Sequence, residues 1–175
     1  LDDLQSAFIS CENLVEIKGI EKFNTSKVTS LFSTFQSCNK LSKLDLSSWN
    51  VSSVKEMGCF ASDCVSLTTL NIKGWKTSQL INIYSAFQNC KNITELDVSG
   101  LDVSNTESLN GVFYGCEALQ SLDLSKWNVI NTTTFDGLFQ RCLSLTNINL
   151  LGWTTTKALT LSYMFSECTS LESLD

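Results

Sequence analysis

Cysteine is the residue type in this chain with the most latent chemistry, and seven of its eight cysteines recur at a step of 26 or 27 residues. Cys38, Cys64, Cys90, Cys116, Cys142 and Cys168 stand 26 residues apart, and Cys11 precedes Cys38 by 27. If each period is one layer of a stack, the thiols form a column with neighbours about 4.8 Å apart. That is inside the disulfide range of roughly 4.4–6.8 Å between Cα atoms. Side chains on parallel neighbours nevertheless point the same way, and seven in one column cannot all pair. Free cysteine behaves as a small hydrophobe and is often fully buried. The column is therefore expected to hold buried thiols, with disulfides, metal binding or redox chemistry as the lesser readings. Cys59 stands outside it, in a slot that other periods fill with Ser33, Ser85, Gly111, Gly137 and Tyr163. It is expected to face outward, as a bystander or as a crosslink to another chain.

A second column is acidic and amidic: Asp45, Asn71, Asp97, Asp123 and Asn149, continued by Asp175. Oxygen ligands in this pattern suit calcium or a polar ligand, and the column is the candidate ligand face; the alternative is a solvated sheet face. Carboxylates about 5 Å apart also occur in retaining glycosidases, but no apolar pocket is evident to raise the pKa of one of them. Four N-x-[ST] triplets, at Asn24, Asn50, Asn92 and Asn131, are candidate glycosylation sites if the chain is secreted by a eukaryote. The chain lacks histidine and shows neither a glycine-rich phosphate loop nor a nucleophile elbow. It is expected to be non-enzymatic, with no cofactor and no metal. A net charge of −6 and a pI near 4.6 argue against nucleic acid and against docking on an anionic membrane. No apolar run is long enough to span a bilayer, so no direct membrane insertion is expected in this segment.

The elements that carry these columns follow from the same period. Phe8, Phe35, Phe87, Phe113, Phe139 and Phe165 lie three residues before a cysteine; at Ala61 the aromatic has moved back to Phe60. A fixed period of this length indicates stacked rungs. The rungs run over 14–40, 41–66, 67–92, 93–118, 119–144 and 145–170, with partial rungs 1–13 and 171–175. L-x-L alternation, as in Leu44/Leu46 and Leu122/Leu124, predicts one short strand per rung with one face buried. An aromatic slot follows: Trp49, Trp75, Trp127 and Trp153, with Leu101 in the fourth full rung and Phe23 in the first. Its tolerance of Leu and Phe favours a core position over an exposed binding strip. Ser26, Ser52, Ser78 and Ser104 then stand as helix N-caps, Ser104 with Glu107 as a capping box. Apolar residues such as Val54, Met57, Phe60, Ala61 and Cys64 recur at helical spacing and predict a helix of about three turns. The fold class expected is an α/β solenoid, leucine-rich-repeat-like, with one parallel strand and one short helix per 26-residue rung.

The segments LDLSSWNVSSV at Leu44–Val54, LDLSKWNVINT at Leu122–Thr132 and LDVSGLDVSNT at Leu96–Thr106, the last two followed by F-x-x-C and the first by Phe60 and Cys64, carry a resemblance. The repeat resembles that of the BspA-like leucine-rich-repeat surface proteins, over nearly the whole chain. The resemblance implies an extracellular or cell-surface location and adhesion or protein binding, to a protein or glycan on another cell or matrix. Asn131–Phe135 and Lys157–Leu161 carry less Asn and Met than that pattern, and no binding residue is carried over. The alternative is structural: rungs unfinished at both ends, without polar caps, would stack copies head-to-tail into an extracellular filament. Within the sequence no exposed patch stands out from the repeat average.

Overall fold

The computed structural model describes residues 1–174. Four three-residue strands are present: β1 (Lys43–Asp45), β2 (Thr69–Asn71), β3 (Ser121–Asp123) and β4 (Asn147–Asn149). β1 pairs with β2 in parallel, Leu44 opposite Leu70, and β3 with β4, Leu122 opposite Ile148. The central residue of each is buried and its neighbours look outward, as the two-residue period requires.

The helix expected in each rung is absent: no α-helix occurs among the described residues. A train of tight turns occupies the segment instead. In the second half of the first rung, Thr34 N–H donates to Leu31 O, Gln36 to Ser33 O and Cys38 to Phe35 O, each three residues back. The intervening N–H groups leave the rung altogether. Leu31, Ser33, Phe35 and Ser37 donate to Glu56, Gly58, Phe60 and Ser62 at 2.7, 2.9, 2.8 and 2.8 Å. The device that turns alternate amides outward is a pair of left-handed residues four apart. Ser33 and Ser37 have φ of 52° and 60°, Cys59 and Asp63 52° and 61°, Ser85 and Asn89 52° and 55°, Gly111 and Gly115 61° and 70°. A left-handed residue cannot continue a right-handed helix. Apolar spacing of three and four is shared by a helical stripe and by successive three-residue turns, so periodicity alone does not separate them.

The proposed helix caps fall with the helix. Ser26, Ser52 and Ser104 N–H groups donate to Asn24, Asn50 and Asp102 Oδ1, two residues back, at 3.2, 3.1 and 3.0 Å. These are Asx turns. The additional residue of the first full rung lies at Gly19, whose φ of 82° precedes a single 3-10 turn over Ile20–Lys22. The left-handed glycine accommodates the extra residue without a Cβ penalty.

Between the strand side and the turn side runs one continuous core. Its axis is an aromatic spine in which rings of successive rungs meet. Phe8–Phe35, Phe87–Phe113, Phe113–Phe139 and Phe139–Phe165 stack with centroids at 5.3, 5.8, 5.8 and 5.3 Å. Phe60 fills the vacancy at Ala61, meeting Phe35 and Phe87 edge-on at 5.4 and 6.5 Å. The slot it enters holds Thr34 in the rung before and Ala86 in the rung after, both fully buried and small enough to leave room. Phe113 is fully buried and touches rings of two other rungs as well as Trp127. Phe113→Ala is expected to destabilise the chain by about 3–5 kcal/mol. Urea unfolding measures it, and a loss under about half a kcal/mol would remove the spine from the core.

Candidate functional site

Two of the periodic columns resolve into the same hydrogen-bond device. From Cys38 to Cys168, each thiol of the column donates to the carbonyl of the phenylalanine slot in the preceding rung. Cys64 Sγ reaches Phe35 O at 3.0 Å, Cys116 reaches Phe87 O at 3.2 Å and Cys142 reaches Phe113 O at 3.2 Å. Phe35 O also accepts the Cys38 N–H of its own rung at 3.1 Å, so both of its lone pairs are used. Trp75 Nε1 does the same to Leu46 O at 2.9 Å, Trp127 to Val98 O at 3.1 Å and Trp49 to Ile20 O at 3.0 Å. Burial pushes the Cys38 thiol up to about 11 and those of Cys64 and Cys116 up to about 12, so they stay protonated donors. No disulfide joins the column; its cysteines are free. Cys59 is half-buried, at a left-handed position beside Tyr84.

The Asp/Asn column lies on the strand face, as the register requires. Asp45, Asp97 and Asp123 are exposed, and Asn71 and Asn149 half-buried; Asp175 lies outside the described residues. Each of these five closes an Asx turn as the chain leaves the strand slot. Asp45 Oδ1 accepts Ser47 N–H at 3.0 Å, Asn71 accepts Lys73 at 3.2 Å, Asp97 accepts Ser99 at 3.0 Å, Asp123 accepts Ser125 at 2.9 Å and Asn149 accepts Leu151 at 3.0 Å. Asn71 Nδ2 also donates to Asp45 Oδ1 at 3.0 Å, a tie between neighbouring rungs on this face.

The triplets at Asn24 and Asn50 have the same explanation. The hydroxyls of Ser26 and Ser52 donate to Asn24 and Asn50 Oδ1, both at 2.8 Å. Asn-x-Ser is thus the spacing an Asx turn needs here. Asn92 and Asn131 instead spend Nδ2 on the carbonyls of Val65 and Ser104 in the preceding rung, both at 2.8 Å.

The strand expected in every rung is absent from the first and the fourth full rungs, and in the fourth its absence interrupts the ladder within the stack. β2 and β3 belong to separate two-stranded sheets, and Glu95–Asp97 between them forms no strand. On another side of the rung the parallel bridges Ser30–Glu56–Asn82 and Ser108–Thr134–Thr160 are likewise broken between Asn82 and Ser108. Both interruptions adjoin the boundary of the third and fourth full rungs. The fourth rung carries Leu101 in the tryptophan slot, so the indole bond to the third rung is missing and Ile72 O keeps only its own-rung partner, Trp75 N–H. Over this seam lies a groove of about 740 Å³ lined by Thr69–Asn71, Glu95–Ser99 and Ser121–Asp123. Leu96 at its floor is 9% exposed, against 4% for Leu44 and Leu122. A smaller groove, about 570 Å³, lies where Gly19 displaces the first rung from β1, between Val15–Ile17 and Ser42–Asp45. Sequence reasoning placed the acidic column but not the seam. The signal was present in Leu101, read as a requirement for bulk when its consequence is a lost donor.

Hydrogen bonds from Ser47, Ser99 and Ser125 hold the carboxyls of Asp45, Asp97 and Asp123 below the usual carboxylate range. Lowered folded values contribute stability that is full above the unfolded pKa, near 4, and lost as pH falls through the folded pKa. D45N/D97N/D123N keeps the Asx turns, as Asn71 and Asn149 do, and is expected to lose less stability than wild type on acidification. Urea midpoints at neutral and acid pH measure the difference, and parallel curves would contradict it. Thiol titration tests the cysteine column. Cys11 is exposed, Cys59 and Cys168 half-buried and the other five buried. Reaction with an aromatic disulfide is expected first at Cys11, and at the five only on unfolding.

A leucine-rich repeat protein from Bacteroides ovatus ATCC 8483 is 26% identical, aligned over 84% of this chain and 40% of its own, with a TM-score of 0.47. A leucine rich cell surface protein from Faecalibacterium prausnitzii A2-165 is 20% identical over 83% of this chain and 42% of its own, with a TM-score of 0.52. The second likeness shows a leucine-rich-repeat fold. The chain spans less than half the length of either protein. No curated protein matches the sequence. No helix long and apolar enough to cross a membrane occurs among the described residues. The model of the family described as "Mycoplasma protein of unknown function, DUF285" matches twice, over residues 2–95 and 81–174. Since these matches together take in nearly every rung, the chain belongs to the DUF285 family.

Proposed function

We propose that this chain is a non-enzymatic binding segment of a cell-surface or secreted protein, and that its strand face does the binding, as in an adhesin of the BspA-like kind. The observation that carries this reading is the strand face itself. Exposed residues on both sides of each buried strand centre, such as Lys43 and Asp45 on β1 and Ser121 and Asp123 on β3, are held in register by backbone pairing and Asx turns. Side chains fixed in this way lose little further freedom on binding, which favours recognition by a preorganised surface. The surface location is supported by the Faecalibacterium protein, a leucine rich cell surface protein with the same fold.

A non-enzymatic role is supported by the chemistry at hand. The thiols of the periodic column from Cys38 to Cys142 are buried as structural donors, the strand-face carboxyls are held ionised by their own turns, and histidine is absent. The partner this surface suits is a protein or glycan presented on another cell or matrix. Binding to an array of immobilised matrix proteins and glycans tests the reading. Retention of at least one array member is expected, and it should fall in Lys43→Glu or Asn147→Arg, exposed substitutions on β1 and β4. It should persist in Lys55→Glu, on the ladder away from the strand face. Retention indifferent to the first two substitutions would overturn the assignment of the binding face.

A further inference from the structure

We infer that the seam between the third and fourth full rungs is a recognition site for an extended, arginine- or lysine-bearing segment of a partner protein, seated in the acidic groove over Glu95, Asp97 and Asp123. The inference rests on the protein-binding reading above and gives it a place and a chemistry. Four observations converge. The groove of about 740 Å³ lies where the ladder opens, so the backbone of Glu95–Asp97 has no strand partner among the described residues. Its lining carries three carboxylates and no lysine or arginine. Lys73 and Lys126 stand outside the lining, near Asp97 and Asp123, and offset the charge only in part. Between the carboxylates the floor is apolar, formed by Leu70, Leu96 and Leu122.

These features fit a cationic side chain better than a neutral or anionic one. An arginine or lysine lays its methylene stem on apolar surface while its head stays at the polar rim. Asp97 and Asp123 occupy the same slot in consecutive rungs, one rung apart along the stack. A guanidinium, with its fork of donors, is suited to bridge two carboxylates at that spacing. An extended segment would lie along the groove across the rungs and present successive side chains to the carboxylates on its rim. The net charge of −6 favours approach of a basic partner. The groove beside Gly19 lacks this character, since Lys43 stands among Glu16, Glu21 and Asp45 in its lining.

The test uses the whole chain and a short synthetic peptide alternating Arg and Val, with its Glu/Val counterpart and spermidine as controls, by calorimetry or fluorescence anisotropy. The Arg/Val peptide is expected to bind and the Glu/Val peptide not. E95Q/D97N/D123N should weaken binding by about tenfold or more, and E16Q/E21Q should leave it unchanged. Asn71 and Asn149 already make the same Asx bond, so the amide variants keep the turn, and a urea midpoint confirms that they fold. No binding of the Arg/Val peptide, equal losses in both variants, or spermidine binding as tightly as the peptide would each overturn the inference. If the array binding described above persists while the peptide fails, only the groove assignment falls. If both fail, the protein-binding reading falls with it.

Discussion

The rung-to-rung backbone bond is the constraint from which the rest of this structure follows. Alternate amides on the turn side, such as Ser33, Phe35 and Ser37, give up any partner within their own rung and donate to the rung above. For that to happen the chain must turn its peptide planes outward at every second residue. Left-handed residues spaced four apart do this. The geometry costs conformational strain at Ser, Cys, Asn or Asp positions, and about half of the repeats' later examples remove it by using glycine, at Gly111, Gly115 and Gly137. Once those amides are committed, the height of each rung is set, and the phenylalanines must meet ring to ring along the axis.

The same bookkeeping of donors explains the cysteines and tryptophans. A carbonyl that closes a tight turn uses one lone pair on its own rung and has a second aimed along the stack. At one corner the second is met by a thiol and at the other by an indole N–H, as at Phe35 O and Leu46 O. Both donors sit in the core, where an unmet acceptor would be costly. A thiol suits its corner because it is small and otherwise apolar, and burial keeps it protonated. These columns are ties between rungs, and no reagent-like chemistry needs to be invoked for their period.

Where a tie is missing, the stack loosens. Leu101 fills the tryptophan slot with apolar bulk but donates nothing, and at the boundary it serves the strand ladder and the bridge ladder both lapse. Turn-side bonds such as Phe87 N–H to Val112 O at 3.0 Å keep the rungs stacked there. The result is a groove in which three carboxylates, with no lysine or arginine among them, surround Leu70, Leu96 and Leu122. A repeat protein presents the same surface many times over, and a local departure from the repeat is what can distinguish one stretch of it from the next.

The amino-acid sequence by itself determined the period, the slots of the four strands that form and which columns are buried. Those depend on hydrophobic alternation and fixed spacing, which are local properties of the chain. The buried state of Cys38–Cys142 and of Trp49, Trp75 and Trp127 was legible for the same reason. Only the tertiary structure decided that the second half of each rung is a train of turns. Val54, Met57, Phe60 and Cys64 satisfy a helical stripe and a turn train alike, and the choice is made by amides whose partners lie 25 residues away. A closer reading of Gly111, Gly115, Gly137, Asn89 and Asp63 in two fixed slots would have favoured turns, since those residues tolerate positive φ. The seam was beyond a residue-by-residue reading: Leu101 is unremarkable as a core residue, and its effect exists only as a bond that the rung below does not receive.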